Sequence, residues 1–315
     1  MLQNNFFSII ICTYNRSCDL KKTLLSYASF KENIPHELLV VDNNSRDDTS
    51  LICEEFINTY PQVKYIFEPT PGLSHARNTG IKEAQGNIIA FVDDDVNFLP
   101  YWFNNILKPF ITDPTVMAVG GQSFPVFEGG NPDWITNEML KIYGSTLSGD
   151  TEKQMFFPEH PFGLNMAIRK SVFKQIGLFN TALGRKKNSL LSNEESDLFH
   201  RIDQHKMKVQ YTPHAKLEHR IPKERVSKKW VLKRYFWGGI SEIIEETSNL
   251  KPARIKYLSH LYSEFMMIKK IIFADLTFSP KKLYWHINTL SFYQKALVAE
   301  HIGKMRQLLV QLLSF

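Results

Sequence analysis

Over the first hundred residues, short apolar runs that stop at polar clusters alternate with stretches of helical spacing. Phe6 to Thr13 (FFSIIICT) ends at Tyr14-Asn15-Arg16, and Glu37 to Val41 ends at Asp42-Asn43-Asn44-Ser45. Val63 to Phe67 is a third run, and Ile88 to Val92 runs straight into Asp93-Asp94-Asp95. Unbroken apolar runs of this length predict strands buried on both faces. Between them, Asp19 to Ser29 carries Leu20, Leu24 and Leu25 at helical spacing, and Asp47 to Tyr60 reads as a helix with Asp47 or Asp48 near its cap. Leu73 to Gln85 reads as a helix stopped by Gly86. Strand and helix in alternation call for an α/β fold with a mostly parallel central sheet, flanked by helices and joined by right-handed crossovers.

Beyond the acidic triplet the pattern changes. Tyr101 to Phe110 predicts a helix, Val116 to Phe124 a strand, and Val209 to Thr212 a further strand. Phe127 to Gln154, rich in Gly, Asn, Pro and Asp, is either an irregular loop region or a pair of short helices. From Ser227 onward long amphipathic patterns dominate: Trp230, Leu232, Tyr235 and Phe236, then Leu258 to Phe273, then Leu290 to Leu313.

Charge divides the chain in the same place. The net charge is +6, yet residues 220–315 hold 17 Lys and Arg against 7 Asp and Glu, leaving −4 for residues 1–219. We therefore expect a catalytic-type domain over 1–220, with halves of about 1–125 and 126–220, and a basic, aromatic-rich helical extension over 221–315. Lys228, Lys229, Lys233 and Arg234, interleaved with Trp230, Tyr235, Phe236 and Trp237, suit a helix lying on an anionic membrane; they suit a packing helix as well. No nucleic-acid recognition motif accompanies the basic region, so nucleic acid is not an expected partner. Cys12, Cys18 and Cys53 form no CxxC pair and no zinc spacing, as expected of reduced thiols in a cytoplasmic protein. Met1 to Asn5 lacks a basic leader segment, and no apolar run of membrane-spanning length follows.

The candidate chemistry starts at Asp93-Asp94-Asp95. Three adjacent carboxylates repel one another unless a cation sits among them, and hard oxygen ligands favour Mg²⁺ or Mn²⁺. Their place at the carboxyl end of a buried strand is where open α/β sheets bind ligands; the same triplet could also be a surface turn. Asp42 could accept a hydrogen bond from a base N–H, although Asp-Asn-Asn-Ser is also an ordinary turn. Arg77 could pair with a carboxylate or a phosphate. Glu194, Glu195 and Asp197 fit a helix start, where the dipole favours acids.

Taken together, SIIICTYNR (8–16), VVDNNSRDDT (40–49), ARNTGI (76–81) and IAFVDDD (89–95) resemble the nucleotide-binding half of a family 2 glycosyltransferase with the GT-A fold, of the bacterial surface-polysaccharide type. The resemblance continues through GLNMAIR (163–169) and EESDL (194–198), so it covers roughly residues 6–220. It implies an inverting transfer from a nucleoside-diphosphate sugar, UDP-linked in many members, to a glycan or lipid-linked glycan acceptor, with a divalent cation. Carried over residue by residue, Thr13, Tyr14, Asn15 and Arg16 lie beside the nucleotide, Asp42 receives the base, and Arg77 with Asn78 supports the acidic loop or the diphosphate. Asp95 holds the metal, with Asp93 and Asp94 near ribose or behind the ligand, and Asp93 a further metal candidate. His219 is a candidate to complete the metal site, followed by Arg220, Lys223 and Arg225 as cations for the leaving diphosphate. Gly163 and Asn165 form the floor between donor and acceptor. Of the acidic pair Glu194-Glu195, the second is the expected base, one methylene longer than the family's Asp, with Asp197 as the fallback. The alternative is a non-catalytic module of the same fold that binds nucleotide as the partner of another transferase.

Overall fold

β1 (Phe7–Thr13), β2 (His36–Asp42), β3 (Val63–Phe67) and β4 (Ile88–Asp93) lie in the order β3-β2-β1-β4, every pair parallel. Helices α1 (Ser17–Ala28), α2 (Thr49–Thr59) and α3 (Leu73–Glu83) connect them in turn. The computed structural model describes residues 6–29, 34–186, 189–248, 254–273 and 290–313, which separate into two units. The first holds these strands and spans residues up to 130, 143–181 and 194–221.

Successive residues of the apolar runs point to opposite faces of the sheet, and both faces are covered. Phe7, Ile9 and Ile11 join Leu20, Leu24, Trp102 and Phe103 on one side. Ile10 joins Leu39, Val41, Phe91, Ala76 and Leu198 on the other. A strand with helices on both faces admits a buried polar residue only with a partner, as Ser8 of β1 donates to Glu37 of β2, and otherwise stays apolar until polarity appears at Thr13, Asp42 and Asp93. The register aligns those ends: Thr13 lies opposite Asp42, and Cys12 opposite Asp93.

The rest of the sheet is mixed. β5 (Val96–Phe98), β6 (Val116–Phe127), β7 (Lys153–Met155), β8 (Asn165–Arg169) and β9 (Lys208–Ile221) complete nine strands among the described residues, in the order β3-β2-β1-β4-β8-β6-β9-β5, with β7 also on β9. β8 opposes β4 and β6 opposes β8, so β6 and its parallel neighbour β9 run with β1–β4. Six strands thus share one direction, and the sheet is mostly parallel. α4 (Trp102–Thr112), α5 (Lys170–Ile176) and α6 (Glu194–Gln204) belong to this unit.

Three features differ from the sequence expectation. β9 runs for 14 residues rather than the four of Val209 to Thr212, so His219 lies within a strand and not after one. Pro213 and the polar residues Lys216 and Glu218 disguise its second half, while Ala215, Leu217, His219 and Ile221 alternate inward. β5, only three residues long, follows the triplet directly and pairs with β9, setting Val96 opposite His219. Residues 127–154 hold one short 3-10 turn, Asn137–Tyr143, and β7.

The second unit comprises 131–142, 182–193 and residues from 222 onward. Its helices are α7 (Lys228–Ser248), α8 (Arg254–Phe273) and α9 (Phe292–Leu313). α7 and α9 cross closely: a Cβ on Gly239 would overlap the Glu300 carbonyl oxygen, and one on Gly303 the Phe236 carbonyl oxygen. Val231, Tyr235, Ile240 and Ile243 of α7 are buried, and Lys228 Nζ sits 5.5 Å above the Phe292 ring. Val231 and Tyr235 at the start of α7 turn inward, while Lys228, Lys229 and Lys233 remain exposed. No helix among the described residues is long and apolar enough to cross a membrane.

Candidate active site

At the end of β1, Thr13 Oγ1 donates to Asp94 Oδ2 at 2.7 Å, and Arg16 Nη1 donates to Asp94 Oδ1 at 2.6 Å and Asp95 Oδ2 at 2.8 Å. Part of the cation that three adjacent acids require is thus Arg16. Both Asp94 oxygens are engaged and the residue is buried; burial pushes its carboxyl up to about 6 although Arg16 pulls the other way. Asp93 and Asp95 turn to a different task.

One ligand atom each from Asp93, Asp95 and His219 lie within 4.8 Å of one another. His219 Nδ1 is 2.6 Å from the Tyr143 carbonyl oxygen, which can only accept, so Nδ1 carries the proton and Nε2 offers a lone pair when the ring is neutral. That Nε2 is 3.2 Å from Asp95 Oδ1. Burial alone would lower the His219 pKa; the neighbouring Asp95 carboxylate outweighs it and raises it. Two carboxylates and an imidazole with a fixed tautomer form a donor set that fits a divalent cation.

The second cluster forms at the start of α6. Arg77, buried on α3 against the rings of Phe91 and Phe179, donates from Nη1 to Glu194 Oε1 at 3.0 Å and Glu195 Oε1 at 3.1 Å, while Nη2 is 3.9 Å from Asp93 Oδ1. Burial, and then the neighbouring Glu195, push the Glu194 carboxyl up to about 8. Burial acts on Glu195 in the same sense, but the Arg77 guanidinium overrides it and holds this carboxyl below its ordinary value. The two carboxyls are thus pushed in opposite directions, and Glu195, the one held low, is the less buried. A Cβ on Gly163 would overlap Glu195 Oε1 and Arg77 Nη2, so this position must be glycine for both side chains to occupy their places.

Other residues singled out in the sequence have mostly framework contacts. Asn78 exchanges two hydrogen bonds of 2.9 Å with the main chain of Phe179. Asn165, fully buried, accepts from Trp102 Nε1 and donates to the carbonyls of Gln122 and Ala215. Asp197 Oδ2 takes both Arg201 Nε and Nη2. The Arg220 guanidinium donates to the Asp19 and Val96 carbonyls, Thr23 and Asn97, which holds it in the fold rather than free for a diphosphate. Asp42 accepts from Ser45 N at 2.9 Å and Tyr65 Oη at 2.8 Å, leaving lone pairs for one more donor. Asn15, at φ 50°, accepts from Arg46 N and its own N–H donates to Ser45 Oγ, tying the β1 and β2 loops together beside half-buried Tyr14. Tyr65 and Tyr143 escaped the sequence reading: alternation along β3 could have exposed the first, whereas Tyr143 acts through its carbonyl and leaves no side-chain signal.

Residues 8–177, more than half of the chain, match the model of glycosyl transferase family 2. A glucosyl-dolichyl phosphate glucuronosyltransferase of Haloferax volcanii is 25% identical over 270 residues, 81% of this chain and 83% of that protein. A mannosyltransferase from Pyrobaculum calidifontis, solved with GDP-Man and Mn²⁺, superposes with a TM-score of 0.62 at 18% identity, over 98% of this chain and 86% of that one. A crystal structure of GalNAc-T7 with UDP, GalNAc and Mn²⁺ superposes with a TM-score of 0.55 at 15% identity, over 76% of this chain and 52% of the other, so the likeness spans about half of that protein. These likenesses give the fold, which is GT-A. With the family match running from β1 through the acidic triplet to Gly163 and α5, this chain belongs to glycosyl transferase family 2.

Proposed function

We propose that the chain transfers one sugar from a nucleoside-diphosphate sugar, UDP-linked, to a hydroxyl of a glycan or lipid-linked glycan, with inversion, during synthesis of a cell-surface polysaccharide or glycoconjugate. It works in the cytoplasm, peripheral to the inner face of the plasma membrane. The observation that carries the reading is geometric: the partly accessible Glu195 carboxylate lies 3.1 Å from the buried Arg77 guanidinium, whose other terminal nitrogen lies 3.9 Å from Asp93 of the acidic loop.

Inversion needs a single displacement. The acceptor oxygen bonds to the anomeric carbon as the bond to the diphosphate oxygen breaks, and the hydroxyl proton passes to a base on the acceptor side. Glu195 serves as that base. Arg77 keeps it ionised before transfer, and protonated Glu194 keeps a second negative charge away from it. Thr13, Tyr14, Asn15 and Asp42 border the nucleotide, and Arg77 links base and donor loop so that both are set by one side chain. Asp93, Asp95 and His219 would hold a divalent cation, Mn²⁺ or Mg²⁺; when bound it supplies positive charge to the departing diphosphate.

The test uses the purified full chain, Mn²⁺ or Mg²⁺, and a panel of UDP- and GDP-linked sugars. Wild type should transfer or hydrolyse one donor, and Glu195→Gln should bind it with near-normal affinity while turnover falls by about 10²- to 10⁴-fold. Nucleotide binding with no turnover of any donor would leave the non-catalytic module as the better reading. Loss of donor affinity in Glu195→Gln would contradict its role as base.

A further inference from the structure

Six exposed apolar residues of the second unit follow one rule, while Met266, Met267 and Val310 are exposed outside it. On α8 and α9 the helices meet through Tyr257, Leu261, Leu308 and Leu312, and through the pair Glu264 Oε2 to His301 Nδ1 at 2.5 Å. Stepping back along α8 from Glu264 to Tyr257 steps forward along α9 from His301 to Leu308, so the two helices are antiparallel. Leu258, Tyr262 and Phe265 each follow a contact residue of α8 by one position; Ile302, Leu309 and Leu313 do the same on α9. One step turns a helix by roughly 100°. Because the helices run in opposite directions, that same step brings both rows to the same side of the pair. These six side chains are between 46% and 82% exposed. Together they form one apolar surface on two helices, where scattered single residues would need no explanation.

The charges around that surface have one sign. Lys269 and Arg306 occupy the same two rows, four residues after Phe265 and four after Ile302. α8 and α9 together hold seven Lys and Arg but only two acids, Glu264 and Glu300. Glu264 is paired with His301 between the helices, and Glu300 lies 3.6 Å from Lys304, which also binds Glu242 of α7. Both acids are turned away from the apolar rows. A surface of aliphatic and aromatic side chains, interrupted only by cations, complements the headgroup and outer acyl region of an anionic bilayer. A second copy of the chain would have to bring like charges face to face.

We propose that the α8–α9 face, and not the basic start of α7, is a membrane-docking surface that seats Leu258, Tyr262, Phe265, Ile302, Leu309 and Leu313 in the interface of an anionic leaflet. The peripheral location given above then has a surface that produces it, and the inference stands or falls separately from donor chemistry. Docking by partial insertion predicts retention at high salt that a purely electrostatic contact would lose.

The experiment is co-sedimentation of the full chain with phosphatidylcholine vesicles and with phosphatidylcholine–phosphatidylglycerol vesicles, at low and high salt. Wild type should pellet with the anionic vesicles, more weakly with the neutral ones, and keep part of its binding at high salt. Phe265→Glu combined with Leu309→Glu should weaken the vesicle affinity by about tenfold or more, since two apolar anchors are lost and two anions gained. Lys229→Glu combined with Lys233→Glu on α7 should change it much less. Unaltered donor binding and melting in vesicle-free buffer establish that each variant is folded and separate this outcome from failure of the transferase reading. Wild type remaining in the supernatant with anionic vesicles at low salt would overturn the proposal, as would an α7 variant as defective as the α8–α9 one. A wild-type dimer that Phe265→Glu with Leu309→Glu converts to monomer would assign the face to a second copy instead.

Discussion

Arg77 Nη1 lies 3.1 Å from Glu195 Oε1, and the same nitrogen lies 3.0 Å from Glu194 Oε1. One buried guanidinium therefore touches both acids and holds the Glu195 carboxyl below its ordinary value. Lys in its place keeps a charge but not the planar fork, and cannot hold two carboxylates and approach Asp93 together. Arg77→Lys should lower turnover by about tenfold or more and move the acid limb of the pH–rate profile to higher pH, because Glu195 loses part of the field that holds its carboxyl low. Replacement by Met should also destabilise the fold by ~3 kcal/mol, the usual scale for stranding buried charge. A pH–rate profile with denaturant unfolding checks both; an unmoved acid limb would remove Arg77 from the control of the base.

Gly163 makes a sharper test, since its substitution adds one methyl group and no charge. Its Cβ would overlap Glu195 Oε1 and Arg77 Nη2, so one of those side chains must move. A displacement of about 1 Å at a reacting group can cost about 10²-fold in rate. Gly163→Ala should therefore reduce turnover on that scale while donor affinity stays within a few-fold, read as kcat against the donor dissociation constant. Gly130→Ala provides the comparison: φ there is +84°, but nothing stands within 4 Å, so it should cost stability and leave turnover alone.

The parallel half of the sheet was legible because both faces of β1, β2 and β4 are covered, which forces apolar runs and makes each exit abrupt. Asp93-Asp94-Asp95 and Glu194-Glu195 stood out for the same reason, as acids placed where a strand or helix boundary allows them. β9 was not legible beyond Thr212, since Pro213 and its solvent-facing Lys216 and Glu218 break the run that marks a fully covered strand. The family resemblance already divided the triplet, but the contacts beneath that division were not legible: they involve Arg16, 78 residues from Asp94 in sequence, and a Tyr143 carbonyl. The start of α7 carries both readings in its composition. Aromatic residues mixed with lysines describe a packing helix and an interfacial helix equally well, and in the fold Val231 and Tyr235 turn inward while Lys228, Lys229 and Lys233 stay exposed.

Glu194 makes stability depend on pH in a predictable direction. Its carboxyl is raised from 4.5 to about 8 on folding, so between those values the folded state holds a proton that the unfolded state has released. Stability from this group is complete below the unfolded value and declines as pH rises through about 8. Glu195, whose carboxyl is lowered, acts in the opposite sense and only below its ordinary value, so the two windows do not overlap. Melting temperature should fall between mildly acidic pH and pH ~8.5, and Glu194→Gln, which mimics the protonated acid, should flatten that decline and raise the alkaline value. A Glu194→Gln variant with an unchanged slope would show that the buried proton sits elsewhere.

The three triplet acids should respond differently to removal, because only two of them face the candidate cation position. Asp95 and His219 contribute atoms to the convergent set, and His219 is oriented for it by the Tyr143 carbonyl. Asp94 instead spends both oxygens on Thr13 and Arg16, so its influence on a bound ion passes through Arg16, which also binds Asp95. Asp95→Asn and His219→Gln should each weaken Mn²⁺ binding, titrated calorimetrically in the presence of UDP, by about 100-fold, whereas Asp94→Asn should cost about tenfold, the lower end for a group that only orients a ligand. The order matters more than the values. If Asp94→Asn removed Mn²⁺ binding as fully as Asp95→Asn, the central acid would have to leave Thr13 and Arg16 to meet the ion, and the arrangement of the loop with donor bound would differ from the one built around Arg16.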